Sequence, residues 1–320
     1  MTGTDISPAG GLWSRLSIAA ADIKLAHSIF AMPFAVLAAF LARDAQAGWA
    51  RFGLQIALMV VCMVAARTFA MLVNRYADRA IDANNPRTAR RAIASGRLGV
   101  GPARAMIAAS ALVFIAACGV FLVATSNPWP LALSLPVLGW IAFYSFTKRF
   151  TALCHLVLGV SLAIAPIAAA IAIDPRAVGL SASLSVDVAS PALPAVWWLA
   201  LMVVLWVAGF DVIYALQDQE FDARTGLSSI PAKLGTRGAI WLSRLMHAGA
   251  AGVLLMVWRS DARLGPVFLA GVTLVWALLV LEHVILARRG KAGLDMAFFT
   301  VNGVVSCVLG VAGVADALLN

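Results

Sequence analysis

Nine apolar stretches, each of roughly 18–24 residues, divide this chain, and each has the length of a helix that crosses a ~30 Å hydrocarbon layer. They run approximately over 23–41, 54–76, 103–123, 129–146, 151–173, 194–214, 240–257, 266–286 and 296–318. Only 12% of the 320 residues are charged and 62% are hydrophobic, about half the charge of an ordinary soluble domain. The expectation is an all-α, polytopic membrane protein with about nine transmembrane helices in one bundle. Residues 1–20 read as a polar leader without the compact apolar core and cleavage site of a signal peptide, so no processing is expected. Residues 21–320 form the transmembrane domain. Thr125-Ser126-Asn127-Pro128 predicts a tight hairpin between the third and fourth spans.

The net charge of +9 invites a nucleic-acid reading, but its distribution argues for topology and for no nucleic-acid partner. With nine spans, the leader and the loops after spans two, four, six and eight share one side and carry eighteen basic residues. The other side carries five: Arg43, Arg51, Arg176, Arg259 and Arg263. This is the positive-inside asymmetry, so the richer side is predicted to be cytoplasmic in a bacterial-type inner membrane.

Two acidic motifs lie on that same side: Asn74-x3-Asp78-x3-Asp82 and Asp218-x3-Asp222, with Asp211 seven residues before the second. Helical residues four apart stack on one face, so each motif is a ladder of carboxylates at a membrane edge. Such ladders repel unless something neutralises them, and the fitting ion is Mg²⁺, which takes one or two carboxylates plus water and phosphate oxygens. One DxxxD at a helix end is usually a solvated face; two on one membrane face, both followed by basic loops, point to a metal–diphosphate site. Arg79, Arg91, Lys148, Arg149 and Arg224 lie in the adjoining loops as candidate phosphate partners. Arg67 sits two turns below Asn74; it pairs with an acid such as Asp211 or meets the carboxylate of a substrate. Tyr214, one turn before Asp218, caps this site or marks the interface, and Glu282 is expected to pair with a neighbouring base. Cys62, Cys118, Cys154 and Cys307 all fall in spans without CxxC spacing and read as small buried hydrophobes; His27 and His155 read as structural. No GxxxxGK[ST] loop and no serine in a nucleophile-elbow setting occurs.

These residues resemble the UbiA superfamily of intramembrane prenyltransferases, whose hallmarks are NxxxDxxxD after the second helix and DxxxD after the sixth. The string from Asp211 through Tyr214 and Gln217 to Asp218 and Asp222 is similar to the 4-hydroxybenzoate polyprenyltransferase branch, as are Asn85-Pro86-Arg87-Thr88 and Thr147-Lys148-Arg149-Phe150-Thr151. The stretch from Ile23 through His27, Phe30 and Pro33 to Phe34, with Gly226 to Pro231, is closer still to a UbiA-like subgroup, some of it assigned to futalosine-type menaquinone synthesis. Arg91-Ala92 departs from the family's frequent Arg-Pro, which implies a less rigid loop. Heme-O and chlorophyll synthases share the aspartates but look less similar around 214–218. The resemblance implies Mg²⁺-dependent transfer of a polyprenyl group from a polyprenyl diphosphate to an aromatic acid in ubiquinone or menaquinone synthesis. The acceptor would be 4-hydroxybenzoate, with 1,4-dihydroxy-6-naphthoate as the alternative. Asp78, Asp82, Asp218 and Asp222 would hold the metal and diphosphate with Asn74, and Lys148 and Arg149 would steady the diphosphate. Arg67, Asp211 and Tyr214 would surround the aromatic acid. The rival from another class is an organic-anion transporter, which would favour broken helices and polar residues at mid-membrane.

Overall fold

The computed structural model describes residues 17–19, 30–44, 46, 48–181, 184–185, 194–294 and 296–320. The helices used below are α1 (Met32–Leu41), α2 (Trp49–Ala77), α3 (Arg79–Asn84), α4 (Val100–Thr125) and α5 (Trp129–Thr147). They continue with α6 (Cys154–Ile173), α7 (Ala195–Tyr214), α8 (Gln219–Thr225), α9 (Ile230–Arg259), α10 (Pro266–Arg289) and α11 (Asn302–Leu319). Eight helical stretches among the described residues are long and apolar enough to cross a membrane, and α1 is a shorter apolar helix. Of the predicted first span, α1 is the described part; residues 20–29, His27 among them, and most of the leader lie outside the described residues. The protein is an integral membrane protein of the all-α class. Its outward faces confirm the solvent: Leu112, Val123, Trp241, Leu245, Val280 and Val311 are largely exposed side chains that only lipid would accommodate without penalty.

The predicted hairpin is present, with Ser126 in the left-handed region (φ 55°) between α4 and α5. Two spans differ from expectation. The helix at the seventh begins ten residues early, at Ile230, but is broken at Gly235 (φ 67°, ψ 175°), a conformation that only glycine adopts without strain. The ninth begins as a π-helical turn, Met296–Val301, before α11.

Helix α7 is the central element: 67% of its most apolar window is buried, against 22% for α2. It packs on α6 and α9, while α1 lies between α6 and α11, and α2 packs on α4 and α5. The α6–α7 contact is close because Gly159 faces the α7 backbone; a Cβ there would lie 2.5 Å from Val204 O. At the end remote from the acidic motifs, side chains satisfy helix termini. Asn127 Nδ2 donates to Ile171 O (2.7 Å), and Gln55 Nε2 donates to Ala172 O and Ile173 O (3.1 and 3.0 Å), closing the last carbonyls of α6. Asp316 Oδ2 accepts from Gly265 N and Phe268 N, both at 2.7 Å, capping α10 from α11.

Glu282 is fully buried on α10. Its hydrogen bond comes from an amide, Asn302 Nδ2 at 3.2 Å, and the base beside it is His247, whose Nδ1 stands 3.8 Å from Oε2. Asn302 Oδ1 in turn accepts from Trp206 Nε1 (2.7 Å), so α7, α10 and α11 share one polar thread inside the apolar bundle.

Candidate active site

Both acidic motifs are built on the same local design. Helix α2 ends at Ala77, Asp78 leaves helical geometry (φ −92°, ψ 6°), and the short α3 follows. Helix α7 ends at Tyr214, a 3-10 turn covers Ala215–Gln217, Asp218 adopts nearly the same geometry (φ −102°, ψ 3°), and the short α8 follows. Across each break a bond spans four residues, Asp82 N to Asp78 O (2.7 Å) and Asp222 N to Asp218 O (2.8 Å), so the i, i+4 stacking of carboxylates survives.

Each of the four aspartates has one cation. Arg149 bonds Asp78 (3.0 Å), Arg91 Nη1 sits between both oxygens of Asp82 (2.7 and 2.8 Å), Arg87 grips Asp218, and Lys148 lies 2.8 Å from Asp222 Oδ1. These pairs bring the motifs together. Neighbouring residues Lys148 and Arg149 reach one motif each, and the loop after the first motif holds the second, since Asn85 Nδ2 also donates to Asp218 Oδ1 (3.0 Å). The strap continues into the next loop, where Ser228 N donates to Lys148 O (2.8 Å).

The charges are unequal in their surroundings. Burial opposes ionisation of Asp218, but the Arg87 guanidinium, Asn85 and Lys148 outweigh it and hold the carboxyl below its usual range. Partial desolvation opposes the charge on Arg87, yet its bond to Asp218 raises its pKa further. Asp78 goes the other way: burial, joined by the repulsion of Asp82, raises its carboxyl despite Arg149 and Arg91. Asp222 is wholly buried, and its Oδ2 has no hydrogen-bond partner among the described residues. A buried carboxylate oxygen without a donor, among hard oxygen ligands, fits a divalent cation. Among the described residues no three His, Cys, Asp or Glu side chains converge on one metal position. Each ion would therefore take only one or two protein carboxylates, which is how Mg²⁺ is held when phosphate and water complete its shell.

Beneath the aspartates lies a cavity of about 800 Å³. Asn74, Arg87, Arg91 and Tyr214 line its mouth, Arg67, Tyr144 and Asp211 its upper walls, and Phe114, Phe121 and Leu133 its depth. From Asn74 to Met59 it follows α2 for fifteen residues, about 22 Å at 1.5 Å per residue. Asn74 Nδ2 donates to Asp78 Oδ2 (3.3 Å), and Tyr214 stacks edge-on to Phe299 with Arg87 over its ring. The two readings of Arg67 separate here. It makes no ion pair among the described residues, its Nε is buried without a partner, and Asp211 is bonded instead to His155. Arg79 and Arg224 are not brought in: Arg79 turns back to Tyr76 O (2.7 Å), and Arg224 is exposed. Asn85, Arg87 and His155 are the contributors that motif spacing alone did not single out; Asn85 and Arg87 lie in the Asn85-Pro86-Arg87-Thr88 string that carries part of the family resemblance, and His155 gives no local signal.

The fold and site define an integral membrane protein with an apolar intramembrane chamber closed at one end by paired acids and bases, a class suited to amphiphiles with a polyanionic head. The chain belongs to the UbiA prenyltransferase family, whose model matches residues 31–304. It is 28% identical over 262 residues to a 4-hydroxybenzoate octaprenyltransferase of Aromatoleum aromaticum, covering 82% of this chain and 81% of that one. Similar relatives of the same name occur in Citrobacter koseri, at 28% identity over 77% of this chain and 78% of the relative. Among solved structures, the apo UbiA homolog from Aeropyrum pernix K1 superposes with a TM-score of 0.75 at 31% identity, covering 91% of this chain and 98% of that one. A UbiA homolog from Archaeoglobus fulgidus bound to GPP and Mg²⁺ shares the fold at a TM-score of 0.64, with 15% identity over 94% and 99% of the two chains.

Proposed function

We propose that the protein transfers a prenyl group from a prenyl diphosphate to an aromatic acid, 4-hydroxybenzoate before 1,4-dihydroxy-6-naphthoate, at the cytoplasmic face of a bacterial-type inner membrane. The observation that carries this reading is the joining of both aspartate motifs by Lys148 and Arg149, next to Asn74, Arg87 and Arg91 at the mouth of an apolar chamber. Family membership and relatives named 4-hydroxybenzoate octaprenyltransferase support it, as does the Mg²⁺ in the Archaeoglobus homolog. The eighteen-to-five basic asymmetry supports the orientation.

Asp78, Asp82, Asp218 and Asp222, with Asn74, are assigned to Mg²⁺ and diphosphate. Bound there, Mg²⁺ would neutralise charge developing on the departing diphosphate. Lys148 and Arg149 already neutralise one carboxylate of each motif and stand ready to turn toward phosphate oxygens. The apolar walls below take the isoprenoid and keep water from an allylic cation. Arg67, with a buried donor that has no partner among the described residues, is assigned to the carboxylate of the acid, with Asp211 and Tyr214 beside the ring. Charge gathered at one end of the chamber favours this reading over an anion transporter, which would need a polar path through the far half.

The test is prenylated product from the protein in membranes given Mg²⁺, geranyl diphosphate and each acid in turn. Asp78→Ala and Asp218→Ala should each lower turnover by about 100-fold or more, the scale at which lost electrostatic stabilisation acts. Unchanged turnover in either variant sinks the assignment, and uptake of the acid into proteoliposomes without product would favour transport.

A further inference from the structure

Asp211 lines the chamber, and Asp78, Asp82 and Asp218 are bonded to Asn74, Arg91 and Arg87 at its mouth, with Asp222 completing the second motif. Four are paired with Arg or Lys; the fifth, Asp211, is paired with a histidine, although Arg67 lines the same cavity. Asp211 Oδ2 lies 2.6 Å from His155 Nδ1, and on the other side of the ring the Ile230 backbone N–H lies 3.3 Å from Nε2. A backbone N–H can only donate, so Nε2 is the acceptor and the ring hydrogen sits on Nδ1. His155 therefore meets Asp211 as a neutral donor. It is 3% exposed and Asp211 20%, so the carboxylate rather than the ring is presented to a ligand. Oδ1 of Asp211 takes no hydrogen bond from the described residues. The imidazole thus ties the start of α6 to α7 and to the first residue of α9, and the one group it aims is Asp211.

A neutral donor orients a carboxylate without lowering its basicity as far as a guanidinium would. We propose that His155 is a positioning residue that holds Asp211 aimed into the chamber as acceptor of the proton released when the aromatic ring is prenylated; this rests on the prenyl-transfer reading above. In that step the ring carbon bonds to prenyl C1 while the C1–O bond breaks, its electron pair leaving with the diphosphate. The C–H pair at the substituted carbon returns to the ring. Its proton passes to Asp211 Oδ1, giving a carboxylic acid that afterwards releases it to water.

The experiment uses the purified full chain with Mg²⁺, geranyl diphosphate and the accepted acid. His155→Leu removes the donor; His155→Asn places an amide N–H near the position of Nδ1. Turnover of His155→Leu should fall about 10- to 100-fold, toward the contribution of a general base, with the KM for geranyl diphosphate within about twofold. His155→Asn should recover to within about fivefold of the parent. Nitrogen-15 NMR of labelled His155 should find the hydrogen on Nδ1. Parental turnover in His155→Leu, no rescue by a folded His155→Asn, or a hydrogen on Nε2 overturns the proposal. Should the leucine variant fail to fold, the asparagine variant and the ring-nitrogen assignment decide. A parent that prenylates neither acid sinks the prenyl-transfer reading instead, and the ring-nitrogen assignment is independent of that result.

Discussion

The Arg87–Asp218 pair carries much of the site's electrostatic design at the scale of single residues, because it crosses from one acidic motif to the other. Asp218 is held below the ordinary aspartate value of 3.8 chiefly because Arg87 outweighs burial. A carboxyl with a depressed folded pKa adds stability that is present above the unfolded value and is lost as pH falls through the folded one. Melting temperatures of the metal-free protein should therefore drop on the acid side of about pH 4, and Arg87→Gln should weaken that acid-side dependence. An unchanged pH profile in the variant would remove Arg87 from this role. Arg67 supports a second prediction. Arg67→Leu should raise the KM for the aromatic acid by about 10- to 100-fold, the worth of a charge-assisted hydrogen bond, and leave the KM for the prenyl diphosphate alone. Equal effects on both substrates would place Arg67 elsewhere. That Arg67 is anomalous was legible from its depth in an apolar run; that it has no acidic partner among the described residues was not, because pairing depends on which helix faces it.

Helices meet through small residues, and the α6–α7 contact is the sharpest case. Gly159 lies one turn beyond His155 on α6, and a methyl group there would press on the backbone of Val204, which cannot rotate away. Gly159→Ala should destabilise the protein by about 1–3 kcal/mol, as overpacked cores do, read as a lower melting temperature in detergent. Gly119→Ala is the matched control: among the described residues nothing beyond its own helix backbone lies within 4 Å of a Cβ there, so it should be neutral or slightly stabilising. Equal melting of the two variants would contradict the contact. Element identity was largely legible, since apolar runs of membrane length announce helices, and α4 and α5 turn at the expected residues. Element ends were less so. The break at Gly235, the π-helical start of the last span and the helical breaks at Asp78 and Asp218 are departures of a residue or a single turn from helical geometry, and no apolar period reports them.

The whole molecule is a lipid-facing shell of helices around a chamber that is charged at one end and apolar below. The chamber follows α2 for about 22 Å, which sets how much isoprenoid it can enclose. Ala168, exposed to it near the far end of α6, is the place to shorten it. Ala168→Trp should leave turnover with geranyl diphosphate within about threefold and cut turnover with a much longer prenyl diphosphate about tenfold or more, since a bulky ring fills space the longer chain needs. Equal loss at both lengths would mean the tail takes another route. The chain's own order of residues settled the class, the number of apolar spans to within the partly described first one, and the two acidic ladders. Those properties are local: a backbone in lipid must bond to itself, and carboxylates four apart must stack. The partners of those carboxylates were decided only by folding. Lys148 to Asp222, Arg149 to Asp78, Arg87 to Asp218 and His155 to Asp211 join residues 56 to 131 positions apart, apart from the nine-residue Arg91–Asp82 pair. Such distances are bridged by helix packing, which depends on the shapes of facing surfaces and leaves no periodic trace along the chain.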